Sequence, residues 1–207
     1  KGKKVVVIGS GATAMTLVPA MAEEAARVTM LQRSPTYVVA RPDQDKIANT
    51  LRKLLPDSVA YALTRFKNTQ LQHFMYHRMR KEPQKMKKGL IGLVSEALGP
   101  DYDVEKHFTP KYNPWDQRLC LIPNGDLFKS IKKGKTHVVT DHVDTFIENG
   151  VKLTSGEELE ADIVVTATGL NMQVMGGSTF SVDGRPVNFA DTVSYKGMMY
   201  AEIPNLI

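Results

Sequence analysis

The feature that most constrains the fold is the stretch Lys4–Ala14, where a β-branched apolar run meets two glycines spaced by one residue. This pattern predicts a buried parallel strand that turns sharply into a helix. Gly9 permits the tight turn, Gly11 lets the backbone approach a diphosphate, and a small residue at Ala14 keeps the helix close to the strand. The helix N-terminus would then face an anion. The sequence therefore predicts a dinucleotide site, with a ligand-free structural turn as the alternative, at Gly9, Ser10, Gly11, Ala12, Thr13 and Ala14.

The second apolar run, Arg27–Arg33, bears on which nucleotide would bind. An Asp or Glu about 20 residues after the glycines would hydrogen bond a ribose 2′-hydroxyl and favour NAD or FAD. This chain has Gln32, Arg33 and Ser34 at that point instead. A guanidinium binds a 2′-phosphate through parallel charge-assisted hydrogen bonds, whereas a carboxylate would repel it. We therefore expect Arg33 and Ser34 to contact NADPH, the alternative being a solvated arginine at a strand end.

Composition and charge narrow the function classes. Cys120 is the one cysteine, which excludes an intrachain disulfide and a redox-active cysteine pair of the kind that dithiol reductases use. The net charge of +5 suits an anionic ligand but is too small and dispersed to predict nucleic-acid binding. No apolar run approaches the length of a membrane span. Because the chain opens with Lys1-Gly2-Lys3-Lys4 directly before a strand, we expect no signal peptide, and we expect a cytoplasmic location. The sequence also lacks a starting methionine and stops abruptly at Asn205-Leu206-Ile207, so we expect a piece of a larger protein.

Strand and helix patterns alternate along the rest of the chain. We expect a helix over 12–26, an irregular segment over 101–125, a helix over 126–132, strands over 136–140 and 161–167, and hairpins at Asn149-Gly150 and Asp183-Gly184. Together these elements predict an α/β fold: a Rossmann-like FAD/NAD(P)-binding domain with a central parallel sheet, a β-hairpin layer and a helical insertion.

The expected insertion covers residues 43–100, where Leu, Lys, Arg, Gln and Met replace glycine and β-branched residues. Helical spacing predicts one helix ending before Pro56, a second capped by Asp57 or Ser58, and a third opened by Pro83 and closed at Gly99. His73 and His77 are four residues apart, but no third ligand is apparent, so no metal site is predicted. A basic run follows in the same segment, and it has no interleaved aromatic residues on which bases could stack. We therefore favour a solvated helix face over a nucleic-acid site for Arg78, Arg80, Lys81, Lys85, Lys87 and Lys88.

Four stretches carry a resemblance to a known family: Val7–Ala14, Leu31–Pro35, Phe108–Leu119 and Asp162–Leu170. They resemble the NADPH domain of flavin-dependent monooxygenases of the Baeyer–Villiger type, in the group that includes the ethionamide-activating monooxygenase. The resemblance implies a two-domain enzyme that binds FAD tightly and NADPH reversibly. In that family the reduced flavin reacts with O2, and the peroxyflavin attacks a ketone or a sulfur atom, while the protein supplies position and charge.

The resemblance also implies roles for residues outside the glycine turn. Arg118 matches the family's active-site arginine, whose fixed positive charge would stabilise the anionic peroxide and help to hold NADP⁺. Gln117 stands where many relatives have a lysine that touches the 2′-phosphate, which leaves Arg33 as the main phosphate anchor. Ala167, Thr168 and Gly169 resemble the family's turn that leads the chain back toward the FAD domain. The resemblance implies that this turn lies near both cofactors.

The resemblance predicts a particular division of the chain. Residues 1–42 and 101–170 would form the NADPH domain, 43–100 the helical insertion, and 171–207 a tail that leads back to an FAD domain. Neither a second glycine-rich turn for FAD nor a Phe-Gly-His-Trp linker pattern is found in the sequence. We therefore expect the FAD domain as a partner, a ketone, thioether or thioamide as the substrate, and no oxygenation by this chain alone.

Two other classes of function stay open at this stage. One is another flavin enzyme of the same superfamily, although Trp115–Arg118 argues against an N-hydroxylating enzyme. The other is a module without catalytic activity that senses NADPH or holds a partner. A basic amphipathic insertion also leaves association with a membrane surface open.

Overall fold

A four-stranded parallel sheet forms around the opening strand, as the sequence predicts. The computed structural model describes residues 1–207 as two units, Lys1–Gly169 and Leu170–Ile207. The helices of the first unit are α1 (Ala12–Ala22), α2 (Lys46–Leu54), α3 (Asp57–Lys81), α4 (Pro83–Leu98), α5 (Val104–Phe108) and α6 (Asp126–Lys132). Its strands are β1 (Lys4–Ile8), β2 (Arg27–Gln32), β3 (Tyr37–Arg41), β4 (Leu119–Pro123), β5 (Thr136–Thr140), β6 (Val143–Ile147), β7 (Gly150–Leu153), β8 (Glu158–Glu160) and β9 (Ile163–Thr166).

The parallel sheet has the strand order β5-β2-β1-β9, and it lies between two layers. Val5, Val6 and Val7 of β1 are all buried, as a strand covered on both faces requires. Val5 and Val7 pack with residues of α1 and α6, whereas Val6 packs with Val151 of β7. The antiparallel sheet β6-β7-β8 therefore covers one face and helices cover the other, which confirms the predicted hairpin layer.

A second, two-stranded parallel sheet pairs β3 with β4, with Val38 opposite Cys120. Tyr37 of β3 is buried with Met79 of α3 and Leu90 of α4. Helices α3 and α4 thus pack against this small sheet. Within the first unit, no helix is both long and apolar enough to cross a membrane.

Several expectations about local structure were wrong. Helix α1 ends at Ala22 rather than Ala26, because the residues that follow bond to the start of β1: the Gly2 N–H donates to the Glu24 carbonyl, and the Ala26 N–H to that of Lys3. Residues 101–125 are only partly irregular, since they contain α5, capped by the Asp103 side chain, and β4, whereas 109–118 form neither helix nor strand. No side chain caps α3, which begins at Asp57 directly after Pro56, and β9 is shorter than the expected strand.

The second unit contains two short antiparallel hairpins. They are β10 (Ser181–Val182) with β11 (Arg185–Pro186), and β12 (Ser194–Tyr195) with β13 (Met199–Tyr200). Asp183 and Gly184 have positive φ values of 51° and 77°, as a two-residue hairpin turn of type I′ requires. The predicted hairpin at these residues is confirmed.

Gly9 is held in a conformation that only glycine adopts readily. Its φ is +130°, and a Cβ on Gly9 would lie 2.3 Å from the Ala167 carbonyl oxygen. Because the obstacle is backbone of the neighbouring strand end, it cannot move aside as a flexible side chain would.

We expect Gly9→Ala to lower the free energy of unfolding by about 2 to 4 kcal/mol, measured by urea denaturation. The matched control is Gly89→Ala in α4, where a Cβ meets no atom within 4 Å. That substitution should raise the free energy of unfolding by about 0.5 to 1 kcal/mol, because alanine favours a helix interior. Equal stability of the Gly9→Ala variant and the wild type would contradict the tight packing at Ala167.

Two tyrosines, one buried and one partly buried, make stability depend on alkaline pH. Burial raises the pKa of Tyr37 to about 12, with further increases from neighbouring Tyr112 and Asp116. Burial, followed by the charge of Asp103, raises the pKa of Tyr102 to about 12. Above the usual tyrosine pKa of about 10, the unfolded chain releases these protons while the folded chain keeps them, so the free energy of unfolding falls as pH rises.

We expect stability to fall between about pH 10 and pH 12, and Tyr37→Phe to reduce the slope of that fall. Urea denaturation at several pH values measures it. The control is Tyr61→Phe in α3, since Tyr61 is exposed and its removal should leave the slope unchanged. If Tyr37→Phe and the wild type share the same slope, Tyr37 does not hold its proton in the folded chain.

Candidate nucleotide-binding site

An open cleft of about 470 Å³ lies at the carboxyl edge of the parallel sheet, within the first unit. Because β1, β2, β5 and β9 run parallel, the segments that follow them meet at this edge. It is lined by Ile8, Gly9, Ser10, Gly11, Ala12, Thr13, Leu31, Arg33, Ser34, Arg118, Asp141, His142, Val143, Ala167, Thr168 and Gly169. The carboxyl edge of such a sheet is where α/β proteins bind nucleotides.

The N-terminus of α1 opens into this cleft without a cap. Gly11 is the N-cap residue, no side chain caps the helix, and no acidic residue lies in its first turn. The Met15 N–H is the first to bond within the helix, to the Gly11 carbonyl. The preceding N–H groups and the positive end of the helix therefore remain available to an anion.

Arg118 lies directly above this helix terminus. A Cβ added to Gly11 would be 3.8 Å from Nη1 and 3.9 Å from Cζ of Arg118. These are ordinary contact distances, so the protein itself leaves room for a side chain at Gly11. The chain's own packing therefore does not require glycine at this position.

Arg33 brings a second positive charge to the same cleft. Its guanidinium is exposed, and neither Arg33 nor Arg118 has a carboxylate within ion-pair distance. Ser10 connects the two sides of the cleft, since its hydroxyl donates to the Ser34 carbonyl at 3.4 Å. Arg33, Arg118 and the positive end of α1 outnumber the one carboxylate that lines the cleft, Asp141, so the lining carries net positive charge, which suits a ligand with phosphate charges.

The side chain of Gln32 does not contribute to the cleft. It is buried, and its Nε2 donates to the His107 carbonyl at 2.7 Å and to the Thr140 hydroxyl at 2.9 Å. Gln32 therefore ties the end of β2 to β5 and α5, and the cleft wall at the tip of β2 is left to Arg33 and Ser34.

The loop after β5 also lines the cleft, which the sequence analysis missed. Asp141 accepts hydrogen bonds from Ser155, the His142 N–H and the Thr154 hydroxyl, which hold the pKa of its carboxyl well below the usual range. The carboxylate is thus engaged in shaping its own loop. The signal was present, because β5 was correctly expected over 136–140 and a parallel strand next to β2 must end at the same edge.

Two of the expected site residues do not line the cleft. Ala14 is fully buried on the core side of α1, and Gln117 is exposed and does not line the cleft. All the other expected residues lie at the cleft: the glycine turn, Arg33, Ser34, Arg118 and the segment 167–169.

Tyrosines hold the segment that carries Arg118. The Tyr112 hydroxyl donates to the Arg118 carbonyl at 3.1 Å and is 2.8 Å from the Thr36 hydroxyl. The Tyr37 hydroxyl donates to the Tyr112 carbonyl at 2.6 Å, and the two rings pack edge to face. Arg118 is therefore fixed to β3 through its backbone, which leaves its side chain free to extend over Gly11.

Helices α3 and α4 hold the same segment from the other side. Arg80 forms an ion pair with Asp116, Gln84 donates to the Asn113 side chain at 3.1 Å, and Lys87 donates to the Pro110 carbonyl. Part of the basic run is thus structural, as are the ion pairs of Arg78 and Lys85 with Glu82.

His73 and His77 form a hydrogen-bonded pair on α3. Their Nε2 atoms are 2.8 Å apart, and the structure contains no cluster of three or more side chains of the types that ligate metals.

The sequence is similar to those of several flavin-dependent monooxygenases. It is 54% identical over 205 residues to the FAD-containing monooxygenase EthA of Mycobacterium tuberculosis, an alignment that covers 99% of this chain and 42% of EthA. It is 48% identical over 206 residues to the probable FAD-binding monooxygenase AlmA of Acinetobacter baylyi, covering 41% of that protein. The chain thus spans less than half the length of these relatives. No family model matches it.

Comparison with solved structures supports the same fold. The structure of OTEMO in complex with FAD and NADP superposes with a TM-score of 0.62 and 16% identity, over 83% of this chain and 38% of that one. The open structure of cyclohexanone monooxygenase gives a TM-score of 0.55 and 18% identity, over 81% of this chain and 40% of that one. The resemblance seen in the sequence motifs is confirmed: over nearly its whole length, this chain is a homologue of one part of the FAD-containing monooxygenases and shares the fold of Baeyer–Villiger enzymes.

Proposed function

We propose that this chain is the NADPH-binding part of an FAD-dependent monooxygenase. In the whole protein, that enzyme inserts one oxygen atom of O2 into ketones or oxidises sulfur compounds such as thioethers and thioamides. The observation that carries the proposal is the meeting of two unpaired guanidinium groups, Arg33 and Arg118, at the open N-terminus of α1. The relatives named above are FAD-containing or FAD-binding monooxygenases, which supports the same activity.

The cleft fits NADPH by its chemistry. The diphosphate is matched by the free N–H groups after Gly11, where the absence of a Cβ allows close approach. The 2′-phosphate is matched by Arg33 at the tip of β2, with the Ser34 hydroxyl beside it. Since Gln117 is outside the cleft wall, Arg33 is the main anchor of the 2′-phosphate in this proposal.

Arg118 is the proposed catalytic residue. When bound, NADPH supplies a hydride, and FAD carries out the reaction with O2. Arg118 holds a fixed positive charge beside the dinucleotide and stabilises negative charge that develops during oxygen transfer. Its backbone attachment to Tyr112 keeps the guanidinium in position without engaging its donors. The segment of Ala167, Thr168 and Gly169 forms the opposite wall, where the two cofactors would meet.

The division of the chain follows from this function. Residues 1–42 and 101–170 form the NADPH domain, 43–100 are an insertion in it, and 171–207 lead back to an FAD domain in the whole protein. The FAD domain supplies the rest of the substrate pocket. The proposal keeps the expected cytoplasmic location.

We expect Arg33→Ala to weaken the binding of NADPH and NADP⁺ by about 10- to 100-fold, the effect of losing charge-assisted hydrogen bonds. NADH lacks the 2′-phosphate, so its binding should not change. Fluorescence titration of the chain with the three nucleotides measures both effects. Arg41→Ala is the control, because Arg41 is an exposed arginine at the end of β3 that does not line the cleft. Failure of the wild-type chain to bind NADPH, or equal losses for NADH and NADPH, would refute the assignment of Arg33.

In the whole enzyme, we expect Arg118→Ala to reduce product formation by about 100-fold or more, and Arg118→Lys to restore part of it. The reason is that the charge acts on the reacting atoms, whereas neither substitution disturbs the backbone bond from Tyr112. Product yield and NADPH oxidation should be measured together, so that loss of oxygen transfer is distinguished from loss of NADPH binding. Product formation at the wild-type rate in Arg118→Ala would show that Arg118 is not catalytic.

A further inference from the structure

Helices α2 and α3 expose many large apolar side chains. Val59, Leu63, Phe66 and Phe74 recur along one side of α3, while Tyr61, Leu71 and Tyr76 are exposed on its other sides. On the inner side of the same helix, Ala60 and Met79 are buried. Six apolar residues of α2 and α3, each at least 43% exposed, are together called the apolar face: Ile47, Leu54, Val59, Leu63, Phe66 and Phe74.

The same region holds the positive charge of the chain. Residues 43–99 contain eleven lysines and arginines against five acidic residues, a net charge of +6, whereas the whole chain carries +5. The rest of the chain is therefore close to neutral. Of the cations on α2 and α3, five have no ion pair: Lys46, Arg52, Lys53, Arg65 and Lys81.

Several of these free cations lie on the sides of α2 and α3 that adjoin or oppose the apolar face. Lys53 precedes Leu54 and Arg65 precedes Phe66, so each lies about 100° around its helix from that apolar residue, and Arg52 lies on the far side of α2 from Leu54. Apolar side chains beside unpaired cations are the pattern of a helix that lies in the plane of a bilayer, with its apolar residues among the acyl chains and its cations at the lipid phosphates.

We infer that the apolar face of α2 and α3 binds the surface of a membrane that contains anionic lipids. Charge decides between the candidate occupants. A second copy of the chain would place two surfaces of net positive charge against each other, which disfavours self-association through this face. An anionic bilayer is complementary to both the charge and the exposed apolar area. This property is independent of NADPH binding and would place the nucleotide cleft close to a source of apolar substrates.

The test is co-sedimentation of the 207-residue chain with vesicles. We expect binding to vesicles of mixed phosphatidylglycerol and phosphatidylcholine to be at least about tenfold stronger than to phosphatidylcholine alone, and to weaken as salt rises. The double variant Phe66→Ser/Phe74→Ser should lose at least about tenfold in binding, because each serine removes apolar area from the acyl region.

A matched control separates the apolar face from hydrophobicity in general. Phe146 of β6 is 60% exposed, as is Phe74, and it lies outside residues 43–99. Phe146→Ser should bind vesicles like the wild type. A charge variant, Arg52→Gln/Lys53→Gln/Arg65→Gln, keeps strong helix formers and should lose the preference for anionic lipid. Circular dichroism of each variant shows whether it is folded, and the charge variant provides the test if the serine variant is not.

Three results would overturn the inference. The first is no binding to anionic vesicles at low salt. The second is equal binding to anionic and neutral vesicles, or equal loss in Phe146→Ser, which would mean nonspecific hydrophobic adsorption. The third is a dimer, detected by sedimentation equilibrium, that the serine variant abolishes while vesicles remain unbound, which would assign the face to a second copy.

Discussion

The cleft depends on the close approach of two backbone segments, the turn at Gly9 and the end of β9 at Ala167. The Ala167 N–H donates to the Ile8 carbonyl at 2.8 Å, and the Gly9 N–H donates to the Leu31 carbonyl at 2.8 Å. These two hydrogen bonds join the ends of β1, β2 and β9 through the adjacent residues Ile8 and Gly9. A side chain at Gly9 would occupy the space of the Ala167 carbonyl. The direction in which α1 leaves the sheet, and hence the position of its free N–H groups, follows from this junction.

Electrostatics then distinguish the site from an ordinary strand-to-helix turn. A structural turn is usually stabilised by a capping side chain or by an acidic residue in the first turn of the helix. Helix α1 has neither, and the guanidinium of Arg118 lies close to Gly11 at its N-terminus. A cation beside the positive end of a helix is unfavourable by itself. The Tyr112 hydroxyl holds the Arg118 backbone at this place. In the proposed function, an anionic ligand between the guanidinium and the helix terminus would offset this unfavourable pairing.

The sequence predicts those parts of the molecule that local patterns determine. The strands β1, β2 and β5, helix α6 and the β6–β7 hairpin each have a signal in adjacent residues, and each is present. The turn of that hairpin is at Glu148-Asn149, one residue before the expected Asn149-Gly150, because Gly150 pairs with Ile147. The pairing of β3 with β4 was not predicted, because it joins residues about 80 positions apart, such as Val38 and Cys120. No local pattern shows on which side of the segment before β4 each side chain lies, and the structure has Arg118 but not Gln117 in the lining of the cleft.

The helical layer and the nucleotide cleft are mechanically connected through one loop. Arg80, Gln84 and Lys87 contact residues 110–116, and Tyr112 in that loop holds the Arg118 carbonyl. Each of these polar contacts is exposed or partly buried and by itself contributes little to stability. Acting together on a short segment, they set the position of a guanidinium that must lie over Gly11. The apolar face belongs to α2 and α3, and α3 also carries Arg80. The helix that carries much of the apolar face thus also contacts, through Arg80, the segment that precedes Arg118.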